Sequence, residues 1–162
     1  MGLLTPLAVK IGSISWMPRL LPTIVKVDGL IQKASGGRRD LLWIAGLPSV
    51  TMTVVGRKSG APRTTTLLAA PEGDGWLIAG SYFGGPKAPA WVYNVRGAGS
   101  VTIDGREFAA VELSGDARAD AWQTLRSVWP NFDLYEQRTA RVIPVFRLSP
   151  EPLVEQTGDA AR

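Results

Sequence analysis

The chain has 162 residues, 45% hydrophobic and 20% charged, a length and composition that suit one soluble domain with a sizeable core. It contains neither Cys nor His, which excludes disulfides, thiolate nucleophiles, His-based catalytic triads and the usual zinc sites. Its net charge of +4 is concentrated in residues 1–40, where six cations face Asp28 and Asp40. Chemistry in such a chain is left to a cofactor, or to Tyr, Lys, Arg and carboxylates, and the basic half favours an anionic ligand. Nucleic acid is disfavoured because no dense Lys/Arg run with interleaved aromatics occurs, and no Cys/His cluster exists to hold a metal.

Residues 1–33 are apolar with spaced cations, and Pro6, Pro18 and Pro22 break them into short helices. No uncharged run reaches the roughly 20 residues needed to span a bilayer, and the pattern is not that of a signal peptide. Two readings stand. The helices lie on an anionic membrane surface with Trp16 at the interface, or they pack as a lid over the rest of the chain. Residues 1–35 are accordingly set apart from a domain spanning 36–150, with a loose tail over 151–162.

Ser35-Gly36-Gly37-Arg38-Arg39 marks a turn, and residues 41–46 one or two helical turns closed by Pro48. Strands are predicted at 49–55, 63–70 and 76–81, with a hairpin turn at 71–75 between the second and third. A loop over 84–89 leads into a helix at 90–96, begun by Pro89. Asp104-Gly105 joins strands 100–103 and 106–113 as a two-residue hairpin. A helix over 117–128, capped by Ser114 or Asp116, is stopped at Trp129-Pro130. A short helix, 132–138, precedes a last strand at 143–148. About six antiparallel strands with flanking helices make a small barrel, mainly β.

The loop between the first two strands, Gly56-Arg57-Lys58-Ser59-Gly60-Ala61-Pro62-Arg63, combines flexible backbone with three cations. It suits a phosphate or carboxylate, although a solvated hairpin loop has the same composition. A second cluster runs from Gly80 to Asn94. There a Gly/Ser-rich strand end permits close approach of a planar ligand, and Trp91 lies just inside a helix start.

Together with Lys87-x-Pro89-x-Trp91-x-x-Asn94 and Tyr135…Arg138-Thr139…Arg141-Val142-Ile143-Pro144-Val145, these stretches resemble the deazaflavin (coenzyme F420)-dependent nitroreductase family over roughly residues 28–150. The resemblance implies an actinobacterial, cytoplasmic split β-barrel of the flavin-nucleotide-binding type; the membrane-surface reading of residues 1–33 would place it at the inner face of the cell membrane. It implies hydride transfer from reduced F420 to an activated alkene, a quinone or a nitro compound. By the same resemblance, Arg57, Lys58, Ser59, Gly60 and Arg63 contact the coenzyme's phosphate and polyglutamate tail. Thr65, Thr66, Leu67 and Leu68 run beside the ring, and Gly80, Ser81, Tyr82, Ala90, Trp91 and Asn94 line its ring and ribityl side. Trp16, Trp129, Phe132 and Tyr135 enclose the small-molecule acceptor, with the Tyr135 hydroxyl as the candidate acid. Trp129 and Phe132 stand where the nitroimidazole-reducing member has tyrosines, so one hydroxyl of three remains. A flavin- or haem-binding relative on the same barrel, or a non-catalytic module at the membrane surface, are the alternatives.

Overall fold

The computed structural model describes residues 46–151, with positions 10, 13, 23, 26, 27, 30 and 42. Trp16, the Gly36-Gly37-Arg38 turn, the bulk of the 1–35 segment and the tail beyond 151 lie outside the described residues.

Six strands form a closed antiparallel barrel: β1 (Ser49–Val55), β2 (Pro62–Glu72), β3 (Gly75–Ala79), β4 (Ser100–Ile103), β5 (Arg106–Glu112) and β6 (Val145–Pro150). Their order around the barrel is β1-β2-β3-β6-β5-β4. β1 and β2 pair along the whole length of β1, from Ser49 opposite Leu68 to Val55 opposite Pro62. β4 returns to β1 through Met52 with Ile103 and Thr53 with Thr102 only. Alternation along β1 does the sorting: Val50, Met52 and Val54 are buried, while Thr51 and Val55 are exposed.

The expected strands are all present, with shifted ends. Pro71 and Glu72 pair with Trp76 and Gly75, so the β2–β3 turn is tighter than the 71–75 stretch suggested. The last strand begins at Val145 rather than residue 143, because Pro144 has no N–H to give a ladder and its carbonyl instead accepts from Gly80 N–H at 2.9 Å.

Within residues 46–151 three helices flank the barrel: α1 (Ala90–Ala98), α2 (Gly115–Val128) and α3 (Phe132–Gln137). α2 starts two residues before the expected position, with Ser114 at its cap making no side-chain hydrogen bond. Asp116 therefore acts through its charge in the first turn, beside the positive end of the helix. Two cores result. Inside the barrel, Met52, Ile78, Phe146 and Leu148 meet Trp91, Val92 and Val95 of α1, so that α1 plugs one mouth. Outside it, Leu77 and Val145 meet Trp122 and Leu125 of α2 and Phe132 of α3. The helix pair is tied down by Arg118, which donates to the Ile143 carbonyl at 2.9 and 3.2 Å and stacks on Trp122. The Trp122 indole donates to Glu136 at 3.2 Å.

Forked ion pairs clamp the surface, Arg126 with Asp133 among them. Arg147 holds Glu72 at 2.5 and 3.0 Å, and Arg96 holds Glu112 at 2.7 Å through both prongs. Hydrogen bonds from these guanidinium groups pull both carboxyls below the usual glutamate value. A carboxyl lowered in the folded state stabilises above its unfolded pKa of about 4.3, and that contribution is lost as pH falls through the folded pKa. Melting curves between about pH 6 and about pH 3 should therefore show wild type losing more stability than a Glu72→Gln/Glu112→Gln protein. Parallel losses would show that the pairs contribute nothing.

Candidate active site

The cationic loop is a built structure. Gly56 N–H donates to Ala61 O and Gly60 N–H to Gly56 O, both at 2.8 Å. Gly60 has φ +66°, which a glycine adopts without strain. Ser59 Oγ accepts from Ala61 N–H at 3.3 Å and from Arg63 Nη2 at 3.4 Å, so the hydroxyl steers the Arg63 guanidinium back over the loop. There is no room for a side chain at Gly56, where a Cβ would lie 2.7 Å from Ser59 Oγ and 3.0 Å from Ala61 O.

α1 forms the facing wall. Asn94 Oδ1 accepts the Arg57 backbone N–H at 3.0 Å, which ties loop to helix. The Arg57 stem runs past Gly97, where an added Cβ would touch its Cγ at 3.5 Å. Between loop and helix opens a cleft of about 850 Å³. Gly56, Arg57, Lys58 and Ser59 line one side and Val54, Arg63 and Thr65 the strand side. Ala88, Ala90, Trp91, Tyr93 and Asn94 close it from the helix. Trp91 is buried, its ring 5.8 Å from Phe146 at 59°, so one tryptophan serves as both barrel core and cleft wall.

Electrostatically the cleft is one-sided. It is lined by three cations and no carboxylate. Arg57, Lys58 and Arg63 take part in none of the four ion pairs among the described residues. Such a surface attracts an anion and has no internal counter-charge to lose on binding it. No cluster able to hold a metal occurs among the described residues.

The expected site residues separate into two groups. Arg57, Lys58, Ser59, Arg63, Thr65, Ala90, Trp91 and Asn94 come together in the cleft wall, and Gly60 shapes the loop behind them. The run Thr65–Leu68 divides by alternation. Thr65 and Leu67 stand opposite Met52 and Val50, with Thr65 in the cleft and Leu67 against the barrel core. Thr66 points the other way, its hydroxyl bonded to Thr51 at 2.9 Å, and Leu68 packs on the second core. Gly80 sits behind α1, where a Cβ would lie 2.6 Å from Val92 Cγ2. Ser81 is half-buried and Tyr82 exposed, in the turn that precedes the helix.

Trp129, Phe132 and Tyr135 are placed in the second core, at 8%, 3% and 2% exposure, and none lines the cleft. Tyr135 Oη accepts the Trp129 indole N–H at 3.3 Å. Burial pushes its phenol above the usual tyrosine value, against the opposing effects of Trp129, the Arg138 charge and Asn131. The resemblance placed these residues around the acceptor, but their spacing is also that of a helix face turned inward.

Gly56 of the expected anion loop also lines the cleft, as do Val54, Ala88 and Tyr93, which were not among the expected contacts. For Tyr93 the signal was available, because Ala90, Tyr93 and Asn94 at i, i+3 and i+4 share one helix face.

Comparison with known proteins places these features among relatives. The family described as F420H(2)-dependent quinone reductase matches residues 26–150. An F420H(2)-dependent quinone reductase of Mycobacterium tuberculosis, strain H37Rv, is 29% identical over 142 residues, covering 83% of this chain and 95% of the relative. Among solved structures, an F420-H2 dependent reductase, FDR-A, superposes with a TM-score of 0.56 at 32% identity, covering 63% of this chain and 94% of the other. A structure described as a domain-swapped dimer gives a TM-score of 0.60 at 27% identity, covering 76% and 94%.

Proposed function

This chain belongs to the F420H(2)-dependent quinone reductase family, and from that premise we propose that its cleft seats F420 with the charged tail on the Arg57–Arg63 loop and the ring against Trp91, for reduction of a quinone. The chain is an F420-dependent oxidoreductase of split-barrel fold. The flavin- and haem-binding alternatives fall away with that membership.

One observation carries the reading: three cations without carboxylate partners among the described residues share a cleft with an aromatic ring buried in its wall. The residues present fit a coenzyme that joins a multiply charged tail to a flat ring system. Bound there, reduced F420 supplies a hydride from its deazaflavin ring. The protein's own contribution is position and charge. Arg57, Lys58 and Arg63 hold the tail, Ser59 orients Arg63, Asn94 fixes loop against helix, and Trp91 gives the ring a rigid backing. Thr65 and Tyr93 are the further hydroxyls on the cleft wall, available to an oxygen that gains negative charge.

Among electron acceptors a quinone is proposed ahead of an enoate or a nitro compound. Absorbance loss of reduced F420 should be fastest with menadione, slower with cyclohexenone and a nitroaromatic. Turnover with NADPH or reduced flavin mononucleotide in place of F420 would refute the donor, and a nitroaromatic outpacing menadione would refute the acceptor.

The Tyr135 hydroxyl, bonded in the core, is proposed as structural. Tyr135→Phe leaves the buried Trp129 N–H without this acceptor and should destabilise by about 1–2 kcal/mol, with quinone turnover within about twofold of wild type. A tenfold fall in kcat at unchanged melting temperature would return Tyr135 to the chemistry.

Among the described residues no helix is long and apolar enough to cross a membrane. The proposal that residues 1–33 touch a lipid surface is supported by Val27 and Leu30, 42% and 67% exposed beside exposed Lys26; vesicle co-sedimentation tests it.

A further inference from the structure

Between β3 and α1 the chain makes a turn, Ser81 to Gly85, in which Tyr82, Phe83 and Gly84 all have positive φ, at 47°, 54° and 78°. Two successive non-glycine residues take this conformation only where their surroundings impose it. Much of that constraint comes from one side chain. Arg141 Nε donates to Gly85 O at 3.0 Å, and its Nη2 donates to Gly80 O at 3.0 Å and Ser81 O at 2.8 Å. The Thr139 hydroxyl adds a bond to Gly85 O at 3.4 Å.

The arrangement is an unusual use of a charge. Arg141 Nη1 is buried without an acceptor, and the guanidinium has no carboxylate partner among the described residues. Burial accordingly holds its pKa below the usual arginine value. For stability alone an apolar chain of similar size would serve as well. What the guanidinium adds is a rigid fork that fixes three carbonyls of one turn together.

Both ends of that turn lead to the cleft. Gly80 lies under α1 so closely that a Cβ would meet Val92 Cγ2 at 2.6 Å and Pro144 Cγ at 3.0 Å. From Gly85 the short stretch Pro86–Pro89 leads into Ala90, where the helical wall of the cleft begins. Tyr93 of that wall lies within electrostatic reach of Arg141.

We infer that Arg141 is a positioning residue of this enzyme: by clamping the Ser81–Gly85 turn it sets the start of α1, and so the width of the cleft at Ala88, Ala90 and Trp91 where the coenzyme ring is seated. The inference rests on the reading of the cleft given under Proposed function. It separates two properties, because the tail is gripped by Arg57, Lys58 and Arg63, which Arg141 does not touch.

The test compares Arg141→Lys and Arg141→Met with Arg118→Lys, whose guanidinium also holds a backbone carbonyl but lines no part of the cleft. Amide exchange at Gly84 and Gly85, which donate to Ser81 O and Tyr82 O, is followed in coenzyme-free protein. Affinity for oxidised F420 and steady-state constants with menadione are measured alongside. Both Arg141 variants are expected to speed exchange at these amides about tenfold and to lower kcat about tenfold or more, with F420 affinity within about threefold of wild type. Arg118→Lys should lower the melting temperature and leave kcat alone. Unchanged exchange at Gly84 and Gly85, or a kcat loss no larger than that of Arg118→Lys, overturns the inference. Should Arg141→Lys not fold, Arg141→Met decides by the same readings. Wild-type protein that does not bind F420 sinks the functional reading itself, whereas wild-type binding with unaltered kcat in the Arg141 variants sinks this inference alone.

Discussion

Replacing Arg57, Lys58 and Arg63 together by alanine should weaken F420 binding about 100-fold or more while leaving the melting temperature nearly unchanged. The two halves of that result have one cause. These side chains are in no ion pair among the described residues, so their removal breaks no salt link that the fold uses. A bound polyanion would be their counter-charge, and each exposed cation facing a phosphate or carboxylate contributes a factor of about five to ten, less as salt screens it. Calorimetry at low and high salt checks both parts, since wild-type affinity should fall with added salt and the variant's much less. A triple variant that binds with wild-type affinity would remove the loop from coenzyme recognition. As a control, Arg96→Ala breaks the fork to Glu112 and should affect stability more than binding.

Gly75→Ala should be the most damaging small substitution in the barrel. The methyl group would lie 2.0 Å from the Leu148 carbonyl oxygen and 3.1 Å from its carbon. Both are backbone atoms at the point where β3 meets β6, with Trp76 opposite Leu148. No rotamer change relieves the clash; the strands must part, beside a buried Leu148 that belongs to the inner core. A loss of about 3 kcal/mol, or about 10 °C in melting temperature, is expected. A loss under about 1 kcal/mol would mean that β6 shifts at no penalty.

The barrel was legible in the sequence because its signals are local. Asp104-Gly105 after the β-branched run Val101-Thr102-Ile103 specifies a hairpin, and the alternation of Val50, Met52 and Val54 with Thr51 and Thr53 specifies a half-buried strand. The cation loop was legible for the same reason: its residues are neighbours along the chain. Trouble began where a choice depended on the opposite side of the molecule. The spacing of Trp129, Phe132 and Tyr135 defines one side of a helical stretch, but only packing against Leu77 and Val145 decides that it looks inward. Thr65 to Leu68 read as one stretch along the chain, whereas a strand presents alternate residues to opposite faces. Arg141 stood out in sequence as part of a motif. Its work is done on carbonyls that lie 56 to 61 residues earlier, and nothing local to residue 141 announces them.

The meeting of β4 with β1, held by so short a ladder, also bears on how the protein responds to heat. A ring of strands has no free end, so it opens first where the fewest bonds hold it. Here that seam borders β1, the strand that leads into the cationic loop. Thermal breathing at the seam should therefore loosen the mouth of the cleft before it disturbs the interior. A ligand bridging loop and helix acts as a clasp across the same gap, and makes resistance to unfolding climb with its own concentration.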